Sequence, residues 1–160
     1  MIRIGHGYDV HAFGGDKPLV LGGVLVPKHT GLIAHSDGDV LLHSVCDALL
    51  GAAALGDIGS HFPDTNEKFS GIDSGKLLKQ VFLLISEKNY QVCNLDVTVV
   101  AQTPRMSSYI KLIQLNIASI LSLQDEQVNI KATTTEKLGY IGRKEGIAVH
   151  CVCLIQSTKL

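Results

Sequence analysis

The run GHGYDVHAF at residues 5–13 places two histidines and an aspartate within six residues, in a chain that has seven histidines in all. The stretch alternates loosely between polar and apolar residues, which is typical of a β-strand. Asp9 and His11 are two residues apart, so on a strand both side chains point to the same face. A carboxylate beside an imidazole is a ligand pair for a divalent ion such as zinc. Taken alone, the pair also fits a partly exposed strand end.

His43 lies in the middle of an otherwise apolar helical run, with Asp39 four residues before it and Asp47 four residues after it. A buried neutral histidine needs partners on both ring nitrogens, and a metal ion can be one of them. For His43 alone, a hydrogen bond to Asp39 or Asp47 is the simpler interpretation. Together with Asp9 and His11, however, it would complete three ligands and leave one tetrahedral position open. That pattern is typical of a working zinc site, not a structural one.

Two further segments carry groups that bind anions or hard cations. His35 and Ser36 precede the helix that contains His43, where free N–H groups and the helix dipole attract anions, although Ser36 also fits a plain N-cap. Residues 133–136, TTTE, end a strand with three hydroxyls and a carboxylate suited to phosphate oxygens and magnesium, or form an ordinary threonine-rich strand. The sequence contains no GxxxxGK[ST] loop or GxSxG elbow, and Val10 interrupts a GxGxxG pattern.

Hydrophobic spacing and turn residues predict the elements that position these side chains. Residues 18–27 predict a hairpin in which Gly22 and Gly23 supply the positive φ angles of a tight turn. The acidic run at residues 36–39 predicts the start of a helix to about Leu55, and residues 56–72 form a long glycine-rich loop of a kind that is often functional. The other predicted elements are a strand at 2–11, a helix at 74–88, a strand at 93–102, a helix at 105–122, and strands at 128–136 and 147–155.

This order of elements predicts an α+β fold, in which helices pack on one face of a mixed four-stranded β-sheet with a small hairpin beside it. The 160 residues fit a single domain, residues 1–160, with a sizeable core. Charged residues make up 18% of the chain, against about 25% in typical domains, so part of the surface is suited to a subunit interface. The net charge of −1 without a basic stripe argues against nucleic-acid and membrane-surface proteins.

The cysteines at 46, 93, 151 and 153 form no CxxC pair, which predicts reduced thiols in a reducing compartment. The first residues, MIRIGHG, lack the basic-then-apolar pattern of a secretion signal. The most apolar stretch, residues 40–55, is interrupted by His43 and Asp47 and is too polar to span a bilayer. We therefore expect a soluble, cytoplasmic protein.

Four blocks of the sequence together resemble the 2-C-methyl-D-erythritol 2,4-cyclodiphosphate synthase family. They are GHGYDVHAF, AHSDGDVLLHSVCDALLGAAALGDIGSHFPDT, AQTPRM and KATTTEKLGYIGRKEGIA, in the same order from residue 2 to about residue 155. The resemblance implies a homotrimer with active sites between adjacent subunits, in the single-function form without a cytidylyltransferase portion. The implied enzyme is a phosphorus–oxygen lyase that cyclises 4-diphosphocytidyl-2-C-methyl-D-erythritol 2-phosphate, a cytidine diphosphate-linked substrate. It releases CMP, in a step of the non-mevalonate isoprenoid pathway.

The resemblance also implies a role for each matching residue. Asp9, His11 and His43 would hold a zinc-type ion, Glu136 a magnesium or manganese ion bridging the substrate phosphates, and His35 and Thr134 would stabilise the transition state. The implied substrate contacts include Asp9, Val10, His11 and His35. Those around the methylerythritol and ribose parts are Ser36, Asp57, Ile58, Gly59, Phe62, Pro63, Asp64, Thr65 and Asn66. The implied cytidine-diphosphate pocket consists of Ala101, Gln102, Thr103, Pro104, Arg105, Met106, Ser107, Thr133, Thr134, Thr135 and Glu136. Further contacts near the site and the trimer centre are Tyr140 and Arg143.

Two positions depart from the family pattern, and two other functions compete with it. Asn66 stands where the family often has an acidic residue, and His150 stands where some members have one near the trimer centre, so regulatory isoprenoid binding is not carried over. Two histidines and a carboxylate also form the facial triad of non-haem iron oxygenases, although those triads usually lie on jelly-roll strands and His43 is predicted on a helix. The second alternative is a non-catalytic trimeric small-molecule binder with a structural metal.

Overall fold

A five-stranded mixed sheet and a separate hairpin make up the β-structure of the chain. The structure is a computed structural model that describes residues 1–63, 65 and 71–159. In chain order the strands are β1 (Ile2–Gly15), β2 (Val20–Leu21), β3 (Val24–Leu25), β4 (Gly31–Leu32), β5 (Tyr90–Val100), β6 (Val128–Thr133) and β7 (Gly146–Ser157). The sheet has the order β4-β1-β7-β5-β6, and β2 pairs with β3.

Strand directions make the sheet mixed, as the sequence predicts. β7 runs antiparallel to both of its neighbours, β1 and β5, whereas β5 and β6 are parallel. The α+β class with a hairpin is therefore confirmed, but the predicted count of four strands in the main sheet omits β4. This edge strand has two residues and pairs only with Phe13 and Gly15 of β1, so it is too short to show a hydrophobic period.

The helices are α1 (Val40–Ala52), α2 (Ile58–His61), α3 (Ser74–Glu87), α4 (Ile110–Leu121) and α5 (Gly139–Gly142). Helix α3 agrees with the prediction to within one residue. The predicted helix at 105–122 is divided into a 3-10 turn, Met106–Ser108, and α4. The predicted loop at 56–72 contains the short helix α2. None of the helices in the described part of the chain is long and apolar enough to cross a membrane.

Helix α1 begins four residues later than predicted because Asp39, not Ser36, is its N-cap. The Asp39 carboxylate is fully buried and accepts hydrogen bonds from the backbone N–H groups of Leu42 at 3.0 Å, Gly22 at 2.9 Å and Gly23 at 2.6 Å. Burial raises the pKa of Asp39 to about 6, against the opposing effect of these three donors. Gly22 and Gly23 have φ angles of 61° and 74°, as the predicted tight turn requires. One side chain thus joins the hairpin to the helix.

The core lies between one face of the sheet and helices α1, α3 and α4. Along β7, alternate residues from Ile147 to Ile155 are buried, including Cys151 and Cys153, whereas His150 and Val152 between them are exposed. On β1 the exposed positions from Ile2 to Val10, namely Ile2, Ile4, His6, Tyr8 and Val10, lie on the same open face. All four cysteines are free thiols.

Strand β1 packs directly against helix α1 through two glycines. A Cβ atom on Gly7 would lie 1.9 Å from the carbonyl oxygen of Ser44, and one on Gly5 would lie 1.9 Å from that of Ala48. Such distances are far below van der Waals contact, so any side chain here would force the strand and helix apart. The same strand carries Asp9 and His11, and the same helix carries His43, so this contact sets the separation of the three side chains.

We predict that Gly7→Ala lowers the free energy of unfolding by about 3 kcal/mol, because overpacking a rigid backbone contact costs this much. The matched control is Gly51→Ala on α1, where an added Cβ meets no atom within 4 Å. That variant should gain roughly 0.5 kcal/mol, because alanine is the better helix former. Urea unfolding monitored by circular dichroism measures both. Equal effects of the two alanines would contradict the close contact at Gly7.

Candidate metal centre and active site

Asp9, His11 and His43 converge at the junction of β1 and α1. Oδ2 of Asp9 lies 2.9 Å from Nε2 of His11 and 3.1 Å from Nδ1 of His43, and the two ring nitrogens are 3.4 Å apart. The three side chains are 25%, 17% and 12% exposed, respectively. The cluster predicted from the sequence is therefore present, and His43 lies on a helix, unlike the strand positions usual in the iron-oxygenase alternative.

The hydrogen-bond polarity of His11 shows that this cluster suits a cation. Its Nδ1 lies 2.9 Å from the carbonyl oxygen of Ile33, which can only accept, so Nδ1 carries the hydrogen. In the neutral ring, Nε2 then directs a lone pair at the carboxylate of Asp9. An ion with ligand bonds of 2.0–2.1 Å in tetrahedral geometry holds its ligand atoms roughly 3.3 Å apart. The observed separations of 2.9 to 3.4 Å are close to that value, so the donor set fits a zinc-type divalent ion.

The charges in the cluster stabilise one another when the histidines are protonated. Burial raises the pKa of Asp9, but hydrogen bonds from His11 and His43 outweigh it and hold the pKa below its ordinary range. Burial lowers the pKa of His11, and the hydrogen bond and charge of Asp9 outweigh it, so this pKa is raised above 6.5. Asp9 therefore stays ionised at all physiological pH values, and protons compete with a metal ion at the imidazoles.

The second ring nitrogen of His43 has serine partners. Nε2 lies 2.9 Å from Oγ of Ser74 and 3.2 Å from Oγ of Ser36. Within the described residues, neither Asp39 nor Asp47 hydrogen-bonds the ring. Asp39 caps α1, and Asp47 accepts the backbone N–H of Ile58 at 2.7 Å. The simpler interpretation of His43, as the partner of one of these carboxylates, is therefore wrong.

A cleft of about 640 Å³ opens over the three ligand side chains. Of the expected substrate residues, it contains Val10, His35, Ser36, Ile58, Gly59 and Phe62 beside the cluster. Sequence reasoning missed the apolar lining, which is formed by Ala12, Ile33, Ala34, Ile72 and Leu77.

Asp57 stands at the N-cap of α2, where its Oδ1 accepts the N–H of Ser60 at 2.8 Å. Pro63 and Thr65 do not line the cleft, and Asp64 and Asn66 lie outside the described residues.

The segments expected to hold cytidine diphosphate, residues 101–107 and 133–136, lie next to each other. The N–H of Ala101 donates to the carbonyl of Thr133 at 3.0 Å, and Oε1 of Gln102 accepts the N–H of Lys137 at 3.3 Å. Glu136 and Lys137 have positive φ angles of 51° and 67°, a strained conformation that is enriched at functional sites. Oγ1 of Thr134 donates to Oε1 of Glu136 at 3.0 Å, so this carboxylate is already oriented by the threonine.

Tyr140 and Arg143 lie beyond this segment, in and after α5. The hydroxyl of Tyr140 is 2.9 Å from that of Tyr8, and this hydrogen bond, with burial, raises the pKa of Tyr8 to about 12. Arg143 forms an exposed ion pair with Glu145, with Nε 2.6 Å from Oε1. His150 contacts His6, with Nδ1 3.2 Å from Nε2 of that ring. These residues all belong to the open face of the sheet or its border.

Within one chain, the two sets of expected site residues are separated by the width of the sheet. Val10 pairs with Ala148, Ala148 with Val100, and Val100 with Thr133. Three strand spacings amount to roughly 14 Å. The expected catalytic residues His35 and Thr134 are therefore not brought together in a single chain.

Residues 2–156 match the family model described as the YgbB family. The chain belongs to this family. It is 61% identical over 155 residues to a Shewanella denitrificans protein named 2-C-methyl-D-erythritol 2,4-cyclodiphosphate synthase, covering 97% of both chains. A relative of the same name from Azotobacter vinelandii is 60% identical over 154 residues. The match covers 96% of this chain and 98% of that protein.

Solved structures agree with the family assignment. The structure of the bifunctional IspDF from Campylobacter jejuni matches 98% of this chain with a TM-score of 0.95 and 49% identity, and this chain spans 42% of that longer one. The Plasmodium falciparum IspF structure, a CDP complex, matches 98% of this chain and 96% of its own, with a TM-score of 0.85 and 39% identity. Both support the resemblance stated from the sequence blocks.

We predict that His43→Ala lowers the zinc content of the purified protein from one ion per chain to well below one, because one of three ligands is lost. Circular dichroism should remain unchanged, since a site of this type does not carry the fold. Atomic absorption after dialysis against zinc measures the content. The control is His29→Ala, which removes an exposed histidine that does not line the cleft. Equal zinc content in the His43 and His29 variants would exclude His43 as a ligand.

Zinc affinity should fall as the pH decreases from 8 to 5.5. Below the raised pKa of His11 each competing proton weakens binding by about tenfold per pH unit, whereas Asp9 remains ionised and contributes no slope in this range. Because this pKa is above 6.5, the weakening should begin near neutral pH. Competition titration with a fluorescent chelator, corrected for the chelator's own pH dependence, gives the affinity. A pH-independent affinity would argue against histidine ligation.

Proposed function

We propose that this YgbB-family chain catalyses the metal-dependent cyclisation of 4-diphosphocytidyl-2-C-methyl-D-erythritol 2-phosphate to 2-C-methyl-D-erythritol 2,4-cyclodiphosphate. The observation that carries the proposal is the convergence of Asp9, His11 and His43 in the cleft that also contains His35 and Ser36. The names of the relatives with 61% and 60% identity support this substrate. In the reaction, a 2-phosphate oxygen bonds to the β-phosphorus while the bond from that phosphorus to the CMP oxygen breaks. The enzyme is thus a phosphorus–oxygen lyase.

Charge is the main obstacle to this reaction. Two phosphate groups of about −2 each at ~4 Å repel by roughly four unit-pair terms of ~4 kcal/mol at an effective dielectric near 20. The net charge of −1 on the chain offers no basic field to offset this. Divalent cations bound at the Asp9–His11–His43 cluster, as a zinc-type ion, and at Glu136, as magnesium or manganese, would supply the compensating charge.

The residues of the cleft would orient the substrate and exclude water. Closing a ring requires an extended chain to curl until phosphate meets phosphorus, and a shaped pocket can supply several kcal/mol of that barrier. The apolar side chains of Ile33, Ile72 and Leu77 form part of the cleft wall. His35 and Thr134 would donate hydrogen bonds to the phosphate oxygens that gain negative charge. No protein nucleophile is required, because the attacking group is already a phosphate anion.

The active site would be assembled between subunits of a homotrimer. Two observations support this: the roughly 14 Å between the two halves of the site in one chain, and the apolar side chains of Ile2, Ile4 and Val10 exposed on the open face. A neighbouring chain could cover such a patch and bring its residues 133–136 to the metal cluster. The free thiols suit a reducing compartment, so we propose that the enzyme acts in the cytoplasm.

Mixing two inactive variants tests both the reaction and the shared site. His43→Ala damages the metal half and Glu136→Ala the nucleotide half, so each homotrimer should lose nearly all CMP release, measured by phosphorus NMR with zinc and magnesium present. In co-refolded mixed trimers, some interfaces pair two intact halves. The mixture should therefore recover a substantial fraction of the wild-type rate, roughly a quarter for random mixing of equal amounts.

The matched control is a mixture of His43→Ala with His11→Ala, two variants damaged in the same half, which should stay inactive. Native mass spectrometry with a tag on one variant confirms that mixed trimers have formed. If mixed trimers form and no activity returns, both halves lie in one subunit. If the wild type releases no CMP from this substrate, the proposed reaction itself is wrong.

A further inference from the structure

We infer that Asp37 and Ser74 are positioning residues for His43, which fix the proton on its Nε2 and thereby leave Nδ1 free to bind the metal ion. Neither residue belongs to the sets of ligands or substrate contacts described above. The inference rests on the proposed metal site, because without an ion the Asp9 carboxylate, 3.1 Å from Nδ1 of His43, also attracts the ring hydrogen. Its central observable is therefore the Nε2–H group of His43 in the zinc-bound protein.

A chain of hydrogen bonds leads from Asp37 through Ser74 to His43. Asp37 accepts twice from Ser74: its Oδ2 from the backbone N–H at 2.8 Å, and its Oδ1 from the hydroxyl. Because an ionised carboxylate can only accept, the Ser74 hydroxyl must donate to it. Oγ of Ser74, 2.9 Å from Nε2 of His43, then has only a lone pair to offer. That lone pair accepts the Nε2–H that His43 carries when Nδ1 binds a metal ion, so the relay favours this tautomer over the competing Nδ1–H contact with Asp9.

The orientation of Nδ1 gives this proton arrangement a functional meaning. Nδ1 is the nitrogen that lies 3.1 Å from Oδ2 of Asp9 and 3.4 Å from Nε2 of His11. With the proton on Nε2, both imidazoles direct lone pairs into the cluster, because the carbonyl of Ile33 fixes His11 in the same way. The opposite tautomer of His43 would place a hydrogen where the metal ion must bind.

Burial and the surrounding backbone hold this relay in place. Ser74 is the first residue of α3 and is fully buried. The loop at Asp37 is joined to the segment before α3 by two backbone hydrogen bonds, from Gly71 to His35 at 3.0 Å and from Asp37 to Ile72 at 3.3 Å. The relay therefore connects the end of the expected substrate loop to a metal ligand. Mutation of such outer partners typically costs 10–100-fold in metal affinity.

Ser36 cannot determine the tautomer by itself. Its Oγ accepts the N–H of Gly38 at 3.2 Å and lies 3.2 Å from Nε2 of His43. Among the residues that the structure describes, no acceptor fixes the direction of its own hydroxyl hydrogen, so it can either donate to the ring or accept from it. Asp37 and Ser74 are the pair with only one permitted direction.

Asp37→Asn should reverse that direction while preserving the shape of the site. The N–H of Ser74 can only donate, so the amide oxygen must face it and the amide NH₂ must face the Ser74 hydroxyl. The remaining contact of Asp37, from the N–H of Asp39 to Oδ1, is the longer one at 3.2 Å and would be given up. The Ser74 hydroxyl would then accept from Asn and donate to Nε2 of His43, which drives the proton onto Nδ1.

The test is ¹H–¹⁵N correlation NMR of ¹⁵N-histidine-labelled protein saturated with zinc, combined with zinc titration of each variant. We expect a hydrogen-bonded, slowly exchanging Nε2–H of His43 in the wild type and in Ser74→Thr, and a rapidly exchanging one in Ser74→Ala and Asp37→Asn. Zinc affinity should fall by about 10–100-fold in Ser74→Ala and Asp37→Asn. The control is Ser44→Ala, another fully buried serine, whose hydroxyl donates to the carbonyl of Leu41 within α1.

The possible outcomes separate this inference from the proposed function. If Ser74→Ala and Asp37→Asn keep the slowly exchanging Nε2–H and bind zinc within twofold of the wild type, the positioning role is excluded while the metal site stands. If Ser44→Ala speeds the exchange as much as Ser74→Ala does, the effect is general to the core, and the role is also excluded. If the wild type binds no zinc, the proposed metal site fails and the positioning role fails with it.

Discussion

The contact between the backbone of β1 and helix α1 is the constraint on which the candidate site depends. Gly5 and Gly7 let the strand approach until a Cβ at either position would lie 1.9 Å from a helix carbonyl. At that separation, His43 from the helix reaches the same point in space as Asp9 and His11 from the strand. The metal cluster is thus a consequence of core packing, since no loop has to fold over to complete its three ligands.

The ligands themselves could be predicted from the sequence because each obeys a local rule. Asp9 and His11 follow the two-residue period of a strand. His43 is conspicuous because it is a polar residue inside an apolar helical run. The partners of His43 could not be predicted, because Ser74 is 31 residues away and follows no pattern that distinguishes it from a helix start. The sequence suggests Asp39 as a partner of His43, four residues away, but it does not indicate the hydrogen bonds that Asp39 accepts from Gly22 and Gly23.

The fold shows a similar division between what is local and what is not. The long strands and helices have clear periods, and the hairpin has its glycine pair, so these elements were predictable. Strand β4 exists only because β1 extends to Gly15 and offers it an edge, and two residues cannot show alternation. Helix α2 is held by Asp47, a residue of α1, and by its own cap Asp57. Such short elements are determined by tertiary contacts, which a single sequence does not display.

The width of the sheet separates the two halves of the proposed site within one chain. The metal cluster lies at β1, and the expected nucleotide segments follow β5 and β6, with β7 between them. A loop movement cannot remove β7, whose alternate side chains belong to the core. In the proposed trimer, a cytidine diphosphate-linked substrate would meet the two groups on different chains. The rigid sheet would then make assembly of the trimer a condition for chemistry, because it holds the two halves of the site apart within each subunit.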